Sequence, residues 1–149
     1  MATPEPISII RLAVATANET LLAFDFGTKR TGVALGNTMI RSARPLEVIA
    51  EEQVDRRFAR IATLIRDWGP QRLVVGRPCH PDGTPHEMTA RCERFARQLH
   101  GRFGLPVSLV DERYSSVAGD LDERYAQFDD AQAAATILRQ YLDENPTSG

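Results

Sequence analysis

The sequence contains few cysteines and no long hydrophobic run. Two cysteines in 149 residues are too few for a disulfide framework, so we expect a cytoplasmic protein in a reducing compartment. No apolar stretch approaches the length that spans a bilayer, so a membrane is not expected among its partners. A chain of this length is typical of one domain and leaves no room for two catalytic lobes.

Net charge is also low, at −2, and by itself gives no indication of a nucleic-acid partner. The charge is unevenly distributed, however, because residues 56–102 hold ten basic and four acidic residues. All basic residues except Lys29 are arginines, whose planar guanidinium suits phosphate. Genomic bias is the simpler explanation of this arginine richness, and a solvated helix face is the simpler interpretation of most of these arginines.

The hydrophobic pattern alternates between strand and helix periods. It predicts strands at residues 21–26, 31–35, 46–49, 73–75 and 107–110, and helices over residues 54–68, from 85 to about 103, and from 129 to 142. A Thr84-Pro85-His86-Glu87 capping box sets the expected start of the second helix. The order indicates one α/β domain over residues 20–144, with a mixed five-stranded sheet in which antiparallel hairpin strands precede parallel strands. Residues 1–19 are expected to form a tail or an extra edge segment, and residues 145–149 a second tail.

Three carboxylates are candidates for chemistry. Asp25 lies inside an apolar strand, where its burial is costly unless a partner such as a divalent cation compensates it. Glu112 ends the last strand in a similar way, and Asp130 opens the final helix. Because parallel strands bring their carboxyl ends to one edge, the three could form an oxygen-ligand site for Mg²⁺ or Mn²⁺, with two ions supporting phosphodiester cleavage.

Simpler explanations exist for each carboxylate. Asp25 could bond the backbone of its own turn, Glu112 could form a surface pair with Arg113, and Asp130 could act as a helix cap. If the three carboxylates hold metal ions, a second group of residues would bind the substrate phosphate beside them. These candidates are Thr28, Lys29, Arg30, Arg77 and Arg113.

Six motifs, taken in order, resemble the YqgF/RuvX family over about residues 21–142. They are residues 22–34 (LAFDFGTKRTGVA), 73–78 (LVVGRP), 82–83 (DG), 102–107 (RFGLPV), 110–116 (VDERYSS) and 130–135 (DAQAAA). The resemblance implies a ribonuclease H-like fold, a bacterial cytoplasmic setting and a divalent-metal nuclease. It also implies the acidic catalytic roles of Asp25, Glu112 and Asp130. Members are described as Holliday junction resolvases and as nucleases that mature pre-16S rRNA.

The sequence departs from the family pattern in its loops. Residues 116–128 are shorter than usual and acidic where the family generally has basic residues, and residues 77–81 lack the usual leucine and asparagine. Ser115-Ser116 also replaces a Ser/Thr-Thr pair. Substrate binding by these loops is therefore expected to differ from that of other family members. The three acidic residues of the family pattern are all present.

The leading hypothesis is a metal-dependent endonuclease that cuts structured nucleic acid, through 5′-end processing of pre-16S rRNA in ribosome biogenesis. The alternatives are a Holliday junction resolvase acting on branched DNA and a catalytically silent nucleic-acid-binding module. Actin-like ATPases share the Asp-x-Gly-Thr pattern of residues 25–28, but 149 residues cannot supply their two lobes. A monomer and a homodimer are both compatible with the sequence.

Overall fold

The computed structural model describes residues 18–79, 82, 87–113 and 129–145. Within them the chain forms, in order, β1 (Thr20–Asp25), β2 (Thr31–Asn37), β3 (Ser42–Ile49), α1 (Val54–Trp68), β4 (Arg72–Cys79), α2 (Thr89–Phe103), β5 (Val107–Arg113) and α3 (Asp129–Glu144). This is the predicted order of elements. Most of the two predicted tails and the acidic segment at 116–128 lie outside the described residues. None of the described helices is long and apolar enough to cross a membrane.

The five strands form one mixed sheet in the order β3-β2-β1-β4-β5. Strands β1, β2 and β3 pair antiparallel, and Asp25 lies opposite Gly32. Strand β4 is parallel to β1, and β5 is parallel to β4, because a helix connects each later strand to the one before it. The carboxyl ends of β1, β4 and β5 therefore meet at one edge of the sheet, called the carboxyl edge below. The predicted mixed topology is confirmed.

Side chains that alternate along the strands divide the core into two layers. On one face, α1 and α2 pack against the sheet, and the ring of Phe95 lies edge-on to that of Phe24 at 5.8 Å between centroids. On the other face, α3 packs against residues such as Ala23 and Val74 through Leu138. The sheet is therefore covered on both sides, which leaves its carboxyl edge as the place where polar groups of several elements converge.

Two element boundaries differ from the sequence prediction. Helix α2 begins at Thr89 rather than Pro85, and the Thr89 hydroxyl donates a hydrogen bond to the Pro78 carbonyl at the end of β4. This tertiary bond connects the helix start to β4, whereas Thr84, Pro85 and His86 of the predicted capping box lie outside the described residues. Strand β3 begins at Ser42 rather than residue 46, because an edge strand tolerates the proline at position 45 that interrupts the sequence pattern.

Helix α3 approaches strand β2 at Gly32. A Cβ atom at this position would overlap the backbone carbonyl of Asp130 and come within 2.7 Å of the Ala131 nitrogen. Only a glycine therefore lets the first turn of α3 lie against the sheet. The same contact places Asp130 beside the end of β1, since Gly32 pairs with Asp25.

We expect Gly32→Ala to lower the free energy of unfolding by about 3 kcal/mol, because α3 must move away from β2. Urea denaturation followed by circular dichroism measures this change. The matched control is Gly101→Ala in α2, where an added Cβ meets nothing within 4 Å, and it should be neutral or slightly stabilising. Equal losses in the two variants would contradict the close-contact explanation.

Candidate active site

Asp25 ends β1 at the carboxyl edge, between β2 on one side and β4 on the other. Its side chain is largely removed from water, although the residue is not fully buried. Burial, followed by the negative charge of Asp130, raises the pKa of Asp25 to about 7. The carboxyl group is therefore poised between its neutral and charged forms near neutral pH.

Glu112 lies on β5, which is separated from β1 by β4 alone. Its Oε1 atom lies 2.7 Å from the position that a Cβ of Gly76 would occupy. The missing side chain at Gly76 thus leaves room for Glu112 to reach across β4 toward Asp25. Burial, followed by the charge of Asp25, raises the pKa of Glu112 to about 8. Its neighbour Asp111 is exposed and contacts Arg77 instead, as strand alternation predicts.

Asp130 stands in the first turn of α3 and completes this group. Its Oδ2 atom is buried and lies 3.1 Å from Nε of Arg30. The contact has ion-pair distance but not hydrogen-bond alignment, and no other described group donates to this oxygen. A buried carboxylate oxygen without a donor is costly, so it is a candidate ligand for a cation.

The donor set of Asp25, Glu112 and Asp130 suits a hard divalent cation. All three offer carboxylate oxygens, and their mutual repulsion is the kind that a bound cation relieves. Among the described residues, however, no three acidic, histidine or cysteine side chains are already close enough to hold a metal ion. The three carboxylates would therefore have to draw together as a metal binds.

The predicted phosphate-binding residues differ in their surroundings. Thr28, Lys29 and Arg30 are exposed in the turn that follows Asp25. Arg30 is paired with Asp130, and the Arg77 guanidinium forms ion pairs with Glu93 at 2.7 Å and Asp111 at 2.6 Å, which connects β4 to α2 and β5. The Arg113 side chain lies outside the described part of the chain. The substrate roles of these residues stay predictions, and both Arg30 and Arg77 would have to exchange a carboxylate for a phosphate.

Sequence reasoning missed one residue beside the site. Arg57 falls among the arginines of residues 56–102, for most of which a solvated helix face is the simpler interpretation, yet it is buried and its Nη2 donates a hydrogen bond to the Thr28 carbonyl at 2.8 Å. The spacing carried a signal, because position 57 follows Val54 by three residues and precedes Ile61 by four. It therefore falls on the apolar stripe of α1.

Comparison with known proteins gives a family assignment. A family model named RuvX and described as Holliday junction resolvase matches residues 19–144. The chain belongs to the RuvX family. A relative from Paraburkholderia xenovorans, named as a pre-16S rRNA nuclease, is 52% identical over 137 residues, which cover 89% of this chain and 94% of the relative. A relative of the same name from Burkholderia cenocepacia is 56% identical over 133 residues, covering 84% and 89% respectively.

A solved structure identifies the fold of this RuvX chain. RuvC of T. thermophilus, in complex with a Holliday junction substrate, superposes with a TM-score of 0.50 at 16% identity. The match covers 84% of this chain and 94% of RuvC. This likeness shows the ribonuclease H-like fold, in agreement with the sequence prediction.

In EDTA, we expect Asp25→Asn to be more stable than the unsubstituted chain at pH 8, with a Tm higher on the order of 5 °C. The raised pKa of Asp25 means that the folded state holds a proton which the unfolded chain has released. The free energy of unfolding therefore falls as pH rises from about 4 through about 7. The asparagine variant lacks this loss, so its advantage should vanish near pH 4.

Thermal denaturation at pH 4, 6 and 8 measures this difference. Asp143→Asn is the control, because that exposed carboxylate lies at the other end of α3. Its Tm should follow that of the unsubstituted chain at each pH. If Asp25→Asn is less stable than the unsubstituted chain at pH 8, burial and the charge of Asp130 do not destabilise the charged form of Asp25.

Proposed function

We propose that this RuvX-family chain is a divalent-metal-dependent endonuclease that matures the 5′ end of pre-16S rRNA in ribosome biogenesis. The observation that carries the proposal is the convergence of Asp25, Glu112 and Asp130 at the carboxyl edge. Two of them have raised pKa values, and the third has a buried oxygen without a hydrogen-bond donor. Buried carboxylates arranged in this way have a clear chemical use if they hold Mg²⁺ or Mn²⁺.

The three carboxylates would hold two ions, which when bound activate water and stabilise the leaving oxygen. Asp25 is coupled to each of the other two carboxylates and is therefore central to the group. Metal must displace protons from Asp25 and Glu112, so binding is expected to strengthen as pH rises through about 7 to 8. Lys29 and Arg30 would position the substrate phosphate beside the ions, with Thr28, Arg77 and Arg113 assisting.

Charge on the two faces of the sheet supports a nucleic-acid substrate. Helices α1 and α2 together carry eight arginines against three acidic residues, whereas α3 carries one arginine against four acidic residues. Five exposed arginines of α1 and α2 form no ion pair with any described carboxylate, namely Arg56, Arg91, Arg94, Arg97 and Arg102. A polyanion would therefore approach the carboxyl edge over the α1–α2 face, with salt-dependent affinity.

The choice of an RNA substrate rests on the names of the relatives at 52% and 56% identity. The description of the family model favours a second candidate, a resolvase acting on four-way DNA junctions. In either case the substrate is structured nucleic acid and the proposed location is the cytoplasm. A monomer would suffice for rRNA, whereas the two-fold symmetry of a junction favours a homodimer.

We expect Asp25→Asn to lower the cleavage rate by at least about 100-fold, because the central carboxylate can no longer support the metals. Gel assays of a labelled substrate in Mg²⁺ measure the rate, and Asp143→Asn should cleave at the unsubstituted rate. Cleavage by Asp25→Asn at the unsubstituted rate would contradict the site assignment. Salt-dependent binding without cleavage by the unsubstituted chain in any metal would instead indicate a silent binding module.

A side-by-side assay separates the two substrates. One arm uses an RNA that spans the 5′ end of pre-16S rRNA, and the other uses a synthetic four-way DNA junction, each with Mg²⁺, Mn²⁺ or EDTA. We expect the RNA to be cleaved at least about tenfold faster, and EDTA to abolish cleavage. Faster cleavage of the junction would replace rRNA maturation with junction resolution.

A further inference from the structure

Arg57 is a buried cation next to the turn that carries the phosphate-binding candidates. It is only 6% exposed, although it lies in the first turn of α1. Its guanidinium packs over the ring of Phe26 at 5.2 Å from the centroid. No carboxylate in the described ranges lies within ion-pair distance of it. Removal from water lowers the pKa of Arg57, because burial disfavours the charged form of the guanidinium. No ion pair with a described carboxylate offsets this lost solvation.

The hydrogen bonds of Arg57 connect separate segments of the chain. Its Nη2 atom donates to the Thr28 carbonyl at 2.8 Å and to the Glu52 carbonyl at 3.3 Å. Thr28 belongs to the turn between β1 and β2, whereas Glu52 belongs to the loop that leads into α1. One side chain therefore holds the turn, the loop and the helix together.

The apolar side chain of Phe26 also restrains the turn. The ring of Phe26 stacks on that of Phe95 in α2, with 4.6 Å between centroids and 26° between planes. Phe26 thus lies between a cation on α1 and an aromatic ring on α2. This arrangement constrains the backbone on both sides of Gly27, while Thr28, Lys29 and Arg30 stay exposed.

We propose that Arg57 is a positioning residue that holds the turn of residues 26–30 so that Lys29 and Arg30 face the substrate phosphate beside Asp25. This role rests on the proposed nuclease function. Packing of α1 alone does not account for it, because the polar contacts of Arg57 leave its own helix for two backbone carbonyls. An apolar side chain at position 57 would fill the same place at lower solvation cost.

The first test uses the single lysine of the chain. An endoprotease specific for lysine cuts this protein only after Lys29, so its rate under native conditions reports the order of the turn. We expect Arg57→Met to be cut at least about tenfold faster than the unsubstituted protein. Arg56→Met is the matched control, since it removes an exposed arginine from the same helical turn and should leave the rate unchanged.

A second control separates local loosening from global destabilisation. Leu64→Ala removes a buried side chain from α1, about 10 Å along the helix from Arg57. It should lower Tm more than Arg57→Met does, yet leave cutting after Lys29 slow. If Leu64→Ala accelerates cutting as much as Arg57→Met, or if Arg57→Met has no effect, Arg57 does not hold the turn.

The second test is a double-mutant cycle on nucleic-acid cleavage. Arg57→Met should lower kcat/KM about tenfold in the unsubstituted protein, but less than twofold in a Lys29→Ala/Arg30→Ala background, where the turn has no side chains to position. Arg57→Lys should recover part of the activity. Equal losses in both backgrounds would overturn the positioning role. If the unsubstituted protein cleaves nothing, the proposed function fails, whereas the protease result still decides whether Arg57 orders the turn.

Discussion

The repulsion among Asp25, Glu112 and Asp130 is the interaction that the rest of the fold has to accommodate. The charge of Asp130 acts on Asp25, and that of Asp25 acts on Glu112, in a region largely removed from water. Two glycines make this proximity possible. Gly32 lets α3 carry Asp130 against the sheet, and Gly76 leaves space for Glu112 above β4. The apolar layers on both faces then supply the stability that tolerates the repulsion.

The layered fold also separates charge in a way that suits the proposed substrate. The arginine-rich helices α1 and α2 lie on one face, and the acidic helix α3 lies on the other. A phosphate backbone that approaches over α1 and α2 meets the carboxylates only at the carboxyl edge, where metal ions would reverse the local charge. The low net charge of −2 therefore conceals one positively charged face and one negatively charged face.

Much of this arrangement could be predicted from the sequence, because it follows from local patterns. Hydrophobic periods located the strands and helices, and parallel connections required Asp25 and Glu112 to end at one edge. The start of α2 could not be predicted, since it depends on a bond between the Thr89 hydroxyl and the Pro78 carbonyl. Contacts between residues distant in sequence, such as that of Arg57 with Thr28, leave little local signal.

The opposition between stability and function at this site has a physical origin. A carboxylate cluster that binds divalent cations must be concentrated and partly dry, and these same properties raise the pKa values of Asp25 and Glu112. Near neutral pH the metal-free fold either keeps protons on these groups or bears their repulsion. A bound cation would remove both costs, and metal binding would then be thermodynamically linked to folding stability. In the metal-free fold, the close contacts at Gly32 and Gly76 keep the carboxylates near one another against this repulsion.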